Sequence, residues 1–165
     1  MYAKQNNYAF IDTQNLNQSI KRQGWVLDYE RFIVYLKEKY KVTKALIFFG
    51  YLPKNEAMYQ ALRNYGYTII FKPVLLFPNK PIKGNVDAEL VLHTMLQYPN
   101  FNQSVIVTGD GDFYCLVDYL YKQNKLAYLL VPDSRFYSGL LKPFAPNKVQ
   151  FMNSLKDKLG YKKAP

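Results

Sequence analysis

A single cysteine, Cys115, and a single histidine, His93, are the scarcest chemistry in this chain of 165 residues. One thiol excludes an internal disulfide and any zinc site built from several cysteines, and no histidine accompanies it at ligand spacing. Cys115 therefore reads as a packed helix residue rather than a reactive one. No apolar run approaches the roughly 20 residues that span a bilayer, and Met1 to Asn7 holds no secretory apolar core. No membrane partner is expected, and the chain reads as cytoplasmic. Cationic side chains are missing from one long stretch: Gly84 to Tyr121 contains no Lys or Arg, yet Asp87, Glu89, Asp110, Asp112 and Asp118 all fall there.

The remainder is basic, with 22 Lys and Arg against 12 Asp and Glu and a net charge of +10. A basic protein with one acidic island suits a polyanion ligand drawn in by the general field, with a cation needed locally before phosphates can approach the acids. Sixteen Tyr and eleven Phe offer flat surfaces for stacking bases, although most aromatics serve the core. The same flat surface makes a homodimer one of the partner states to test. The length fits a single domain over 1–165, with residues from about 160 to 165 as a frayed tail. There is no internal repeat and no low-complexity segment.

Apolar runs set the fold. Val105, Ile106 and Val107 form a strand buried on both faces, broken sharply by Gly109 and Gly111. Tyr8 to Ile11, Ala45 to Tyr51, Tyr67 to Lys72 and Ala127 to Val131 are further strands, and Val149 to Met152 an edge strand. Between them lie a short helix opened by Asn15 and ended by Gly24, and a helix Tyr29 to Tyr40 capped by Asp28. Others start at Pro53, at Val86 (to Tyr98, with Leu92 and Met95 inward) and at Phe113 (to Gln123). Ser138 to Leu141 makes one turn, and Asn153 caps a last helix ending near Leu159. Strands alternating with helices predict an α/β fold, three layers α/β/α around a central, mainly parallel sheet. Pro73 to Gly84 interrupts the rhythm with prolines and the pair Lys80 and Lys83, which reads either as a substrate-binding flap or as a simple connector.

Asp12 ends the first strand, Asp110 and Asp112 follow the fourth, and Asp87 opens a helix. Each has an ordinary explanation alone: a turn, a cap, or a partner for a helix dipole. If the first and fourth strands are neighbours, however, their carboxyl ends bring all four carboxylates together, and such a group repels itself unless a cation sits among it. Hard oxygen ligands suit Mg²⁺ or Mn²⁺, which keep waters and take phosphate oxygens as further ligands. The segment 110–112 is not a calcium-binding helix-loop-helix loop, since it lacks the Gly at the sixth and the Glu at the twelfth position.

Phe10-Ile-Asp-Thr-Gln-Asn-Leu16, Lys83-Gly-Asn-Val-Asp87 and Val107-Thr-Gly-Asp-Gly-Asp-Phe113 resemble the three signature segments of the NYN domain family, in its LabA-like branch, within the PIN-like nuclease superfamily. The resemblance implies a PIN-like fold and a Mg²⁺- or Mn²⁺-dependent ribonuclease that hydrolyses RNA with a metal-activated water. Carried over by position, it implies Asp12, Asp87, Asp110 and Asp112 as catalytic metal ligands. Asn15 and Thr108 would orient the site, and Lys83, with Lys80, would meet phosphates. The chain departs from the pattern at His93 and at Asn147, where such domains often carry acids. His93 is then either a supporting ligand or proton carrier, or a structural residue. The rival readings are an RNA-binding module of the same fold without turnover and a phosphatase of small phosphoesters. The latter is disfavoured because Thr13 and Gln14 stand where an Asp-x-Asp nucleophile would.

Overall fold

The computed structural model describes residues 4–81 and 85–163. Six strands, β1 (Asn7–Ile11), β2 (Val42–Gly50), β3 (Tyr67–Lys72), β4 (Ser104–Val107), β5 (Leu126–Val131) and β6 (Val149–Phe151), form one sheet in the order β3-β2-β1-β4-β5-β6. Every pairing is parallel. The helices α1 (Thr13–Arg22), α2 (Tyr29–Tyr40), α3 (Glu56–Tyr65), α4 (Asp87–Gln97) and α5 (Tyr114–Lys122) supply the connections, and a single turn, α6 (Lys156–Leu159), follows β6. The chain is a three-layer α/β/α domain around an all-parallel sheet.

A parallel sheet needs both faces covered, and the strands alternate their apolar side chains accordingly. Ala9, Ile11, Ile47, Val105 and Val107 face one way and pack with Leu16, Ile20, Phe32 and Leu36 from α1 and α2. Phe10, Leu46, Phe48 and Ile106 face the other and pack with Leu90, Leu116, Val117 and Leu120 from α4 and α5. Phe10, Ile11, Ile106 and Val107 have no solvent exposure. Burial of such a side chain contributes about 1.5–3 kcal/mol, so the centre of the sheet is the rigid part of the molecule.

The order in which strands are added reverses between β1 and β4. The chain lays β1, β2 and β3 outward on one side, then returns to place β4 on the free side of β1. In open α/β sheets the crevice at such a reversal, above the carboxyl ends of the two central strands, is where ligands bind. Ile11 is level with Val107 in the ladder, which puts Asp12 and Thr108 side by side at this crevice.

Several expected details differ. Asp12, not Asn15, caps α1: its Oδ1 accepts from Asn15 N–H at 3.2 Å. Pro53 opens a 3₁₀ turn that leads into α3 at Glu56. Leu92 and Met95 face solvent, since α4 covers the sheet with Leu90 and Thr94. Cys115 is exposed. The turn expected at Ser138 to Leu141 is a longer 3₁₀ segment, Gly139–Phe144, capped by Ser138. Asn153 caps no helix; it accepts from Ser134 N–H and donates to Asp133. Gly160 and Tyr161 are not frayed, because Tyr161 N–H donates to Val26 O at 2.8 Å and Gly160 bridges Leu27. No helix among the described residues is long and apolar enough to cross a membrane.

Candidate metal centre

Asp12 is held by its own helix and by the neighbouring strand. Oδ1 caps α1, while Oδ2 accepts from Thr108 Oγ1 at 2.8 Å. The residue is 4% exposed. Its carboxyl is pushed up to about 6, chiefly by burial and also by the negative charges of Asp87 and Asp110, against the bonds from Thr108 and Asn15, which pull it down.

Thr108 also fixes the next acid. Its Oγ1 accepts from Asp110 N–H at 3.1 Å while it donates to Asp12, so one hydroxyl ties the tips of β1 and β4 together. Asn15 does the same from the helix, its Oδ1 accepting from Gly109 N–H at 2.8 Å. Asp110 Oδ1 accepts from Asp112 N–H at 2.9 Å and so caps the 3₁₀ turn Gly111–Phe113 that leads into α5. Gly111 is required by close approach, because a Cβ there would collide with Ser138 Oγ.

Asp87 reaches the same place from α4. Its N–H donates to Asn85 Oδ1 at 2.8 Å, and Asn85 Nδ2 donates back to Asp87 Oδ2 at 3.1 Å. Burial raises the Asp87 carboxyl above its usual range; Asn85 opposes this, and the charges of Asp110, Asp112 and Glu89 add to it.

Asp87, Asp110 and Asp112 each offer a carboxylate oxygen, and the three oxygens lie within 4.8 Å of one another. Asp12 stands outside this trio, deeper in the crevice, with both oxygens already accepting. Among the described residues, no Lys or Arg lies within 4.0 Å of any of the four carboxylates. Converging carboxylates without an ion-pair partner among the described residues, and with no sulfur or imidazole among them, are donors of the type a hard divalent cation takes, and the residues present fit such an ion. Two buried oxygens nearby in sequence, Thr13 Oγ1 and Glu89 Oε2, have no hydrogen-bond partner.

The other expected site residues fall elsewhere. The His93 ring packs 6.0 Å from that of Phe48 and takes no part in the trio. The Lys80 ammonium lies 5.5 Å from the centroid of Phe77, on the exposed loop that precedes Asp87. Lys83 lies outside the described residues. Asn85 is the residue that sequence reasoning overlooked. Its signal was its place two residues before an Asp that starts a helix, where an Asn side chain closes an Asx turn.

The three-layer α/β/α fold and the acidic cluster are compatible with a PIN-like, nuclease-type domain. The model of the NYN domain family matches residues 8–141, and the chain belongs to that family. A crystal structure of a protein of unknown function from Vibrio parahaemolyticus has a similar fold: TM-score 0.76, 23% identity, 98% of this chain and 100% of that one covered. No curated protein matches the chain.

Proposed function

We propose that this protein is a Mg²⁺- or Mn²⁺-dependent ribonuclease of the LabA-like branch, hydrolysing RNA phosphodiester bonds at the crevice between β1 and β4. The observation that carries the reading is the convergence of the Asp87, Asp110 and Asp112 oxygens within 4.8 Å, with no Lys or Arg of the described residues in an ion pair with them. These three carboxylates would hold the ion. A divalent cation bound there supplies a Lewis acid for the phosphate and lowers the pKa of a water for in-line attack.

The chain's own residues do the positioning. Thr108 and Asn15 hold the β4 loop against β1, so that Asp110 and Asp112 do not swing apart under their mutual repulsion. The Asx turn at Asn85 fixes Asp87 from the opposite side. Asp12, with its carboxyl near 6, holds or releases a proton at its Oδ atoms close to neutral pH, and as a carboxylate it accepts the Thr108 hydroxyl whose oxygen in turn holds the Asp110 N–H. The surrounding positive charge draws the RNA strand in.

Purified protein with Mn²⁺ is expected to cut single-stranded RNA and to stop on addition of EDTA. Cleavage that persists in chelator removes the metal mechanism. RNA binding without cleavage under any metal leaves the regulatory, RNA-binding reading in its place.

A further inference from the structure

A second arrangement stands beside the acidic cluster. After β5 the chain turns at Pro132, and Asp133, only 2% exposed, accepts hydrogen bonds from Arg135 N–H at 3.0 Å and Arg135 Nε and Nη2, each at 3.2 Å. Asn153 Nδ2 donates to it at 3.1 Å, and Arg22 Nη1, from the end of α1, stands 4.0 Å away. The two guanidiniums placed in this way both lie against Phe136, at 4.6 Å for Arg22 and 5.6 Å for Arg135 from the ring centroid. Phe136 is nevertheless 60% exposed.

The position of this group links it to the crevice. Ser138, two residues on, donates its N–H to Gly109 O at 3.0 Å and packs on Gly111, within the loop that carries Asp110 and Asp112. Two residues of chain span at most about 7 Å, so the Phe136 backbone is within roughly one nucleotide's reach of that loop. The end of α1 is pinned to the same place by Gln23 Nε2, which donates to Pro132 O at 2.8 Å. An exposed ring held by buried structure is not needed for packing, and one buried carboxylate leaves two guanidiniums with an unneutralised positive charge. A flat, largely exposed ring with two guanidiniums lying over it matches a base with its adjoining phosphates, since stacking needs only an open π-face and guanidinium matches phosphate geometry.

We propose that Phe136, Arg22 and Arg135 form a platform for single-stranded RNA, with one base stacked on the Phe136 ring and backbone phosphates on the guanidiniums, leading the strand into the acidic crevice. The inference rests on the reading of that crevice as an RNA site. Duplex RNA, whose bases are already stacked, gains nothing from the ring.

The test is fluorescence anisotropy of a labelled oligouridylate with the full chain in EDTA, where binding is read without cleavage. Phe136→Ala is expected to weaken binding about tenfold, and Phe136→Trp to restore it. Arg22→Gln is expected to flatten the dependence of log affinity on log salt by about 0.7. Affinity for an RNA duplex of the same length is expected to stay the same in Phe136→Ala. Because the ring is mostly exposed, an unchanged melting curve accompanies these effects. Equal oligouridylate binding by wild type and Phe136→Ala, equal loss on duplex, or displacement of the RNA by polyglutamate at the same charge concentration would overturn the platform. Binding in chelator lost in Phe136→Ala, alongside an absence of cleavage by the wild type with metal, would instead sink the nuclease reading and leave the platform standing.

Discussion

Asp133 and the trio Asp87, Asp110 and Asp112 occupy the same edge of the same sheet and meet opposite fates. Asp133 is buried, which by itself raises a carboxyl, yet the Arg135 side chain and backbone and Asn153 outweigh the burial and hold it below its usual range. That carboxylate is satisfied by the protein. The trio has an Asn, a Thr hydroxyl and backbone N–H groups around it but no cationic side chain among the described residues, and the Asp87 carboxyl is pushed upward, not down. Placement at a strand tip therefore does not make an acid functional. What separates the two groups is whether the fold itself supplies the countercharge: it does so for Asp133, and among the described residues no Lys or Arg does so for the trio.

The sharpest way to break this contrast is to remove an acid from each side. Asp110→Asn keeps an oxygen to cap the turn at Asp112 but loses a charged ligand, and RNA cleavage with Mn²⁺ is expected to fall roughly a thousandfold, about 4 kcal/mol of barrier. An unaltered rate in a gel assay would contradict the assignment. Next in size is the pH response of Asp12. Its folded carboxyl titrates near 6, above the unfolded value of 3.8, so between these values the folded state binds the extra proton. Stability is then greatest for this group at low pH and declines as pH rises toward 6, by on the order of 3 kcal/mol. Denaturant melts in chelator from pH 4 to 7 are expected to show that decline in the wild type and a flatter profile in Asp12→Asn.

On the satisfied side, Asp133→Ala leaves the Arg135 N–H and Asn153 amide without their buried acceptor. The expected loss is about 2 kcal/mol, a fall in melting temperature of roughly 4–8 °C, with cleavage retained by the folded fraction. The smallest effect has the opposite sign. Relief of like-charge repulsion in Asp110→Asn, in the absence of metal, is expected to raise the melting temperature by roughly 2–4 °C. A fall there would mean the trio is already compensated.

The sheet and its acids were legible because their signals are local. An unbroken β-branched run followed by Gly-Asp-Gly-Asp announces a buried strand and its exposed tip, and Asp12 after Phe10 and Ile11 repeats the pattern. What stayed hidden depends on contacts between distant segments. By spacing alone Asn15 looked like a helix cap; the family resemblance implied that it orients the site, but its partner, Gly109, 94 positions away, is visible only in the fold. Asp133 is held chiefly by Arg135, two residues on, but Asn153 and Arg22 reach it only once the chain after β6 and α1 have been placed. Leu92 and Met95 fitted an inward stripe by spacing, yet α4 buries the neighbouring face through Leu90 and Thr94. The retreat of Asp12 from the carboxylate trio follows from the Thr108 hydroxyl, whose role no spacing rule reveals.

Calorimetric titration of Mn²⁺ into the metal-free wild type and into Asp112→Asn bears most directly on the idea that the trio lacks only a cation. Saturable binding by the wild type and its loss in Asp112→Asn, at unchanged fold by circular dichroism, is the predicted result. Equal binding by both proteins, or none by the wild type, would contradict it.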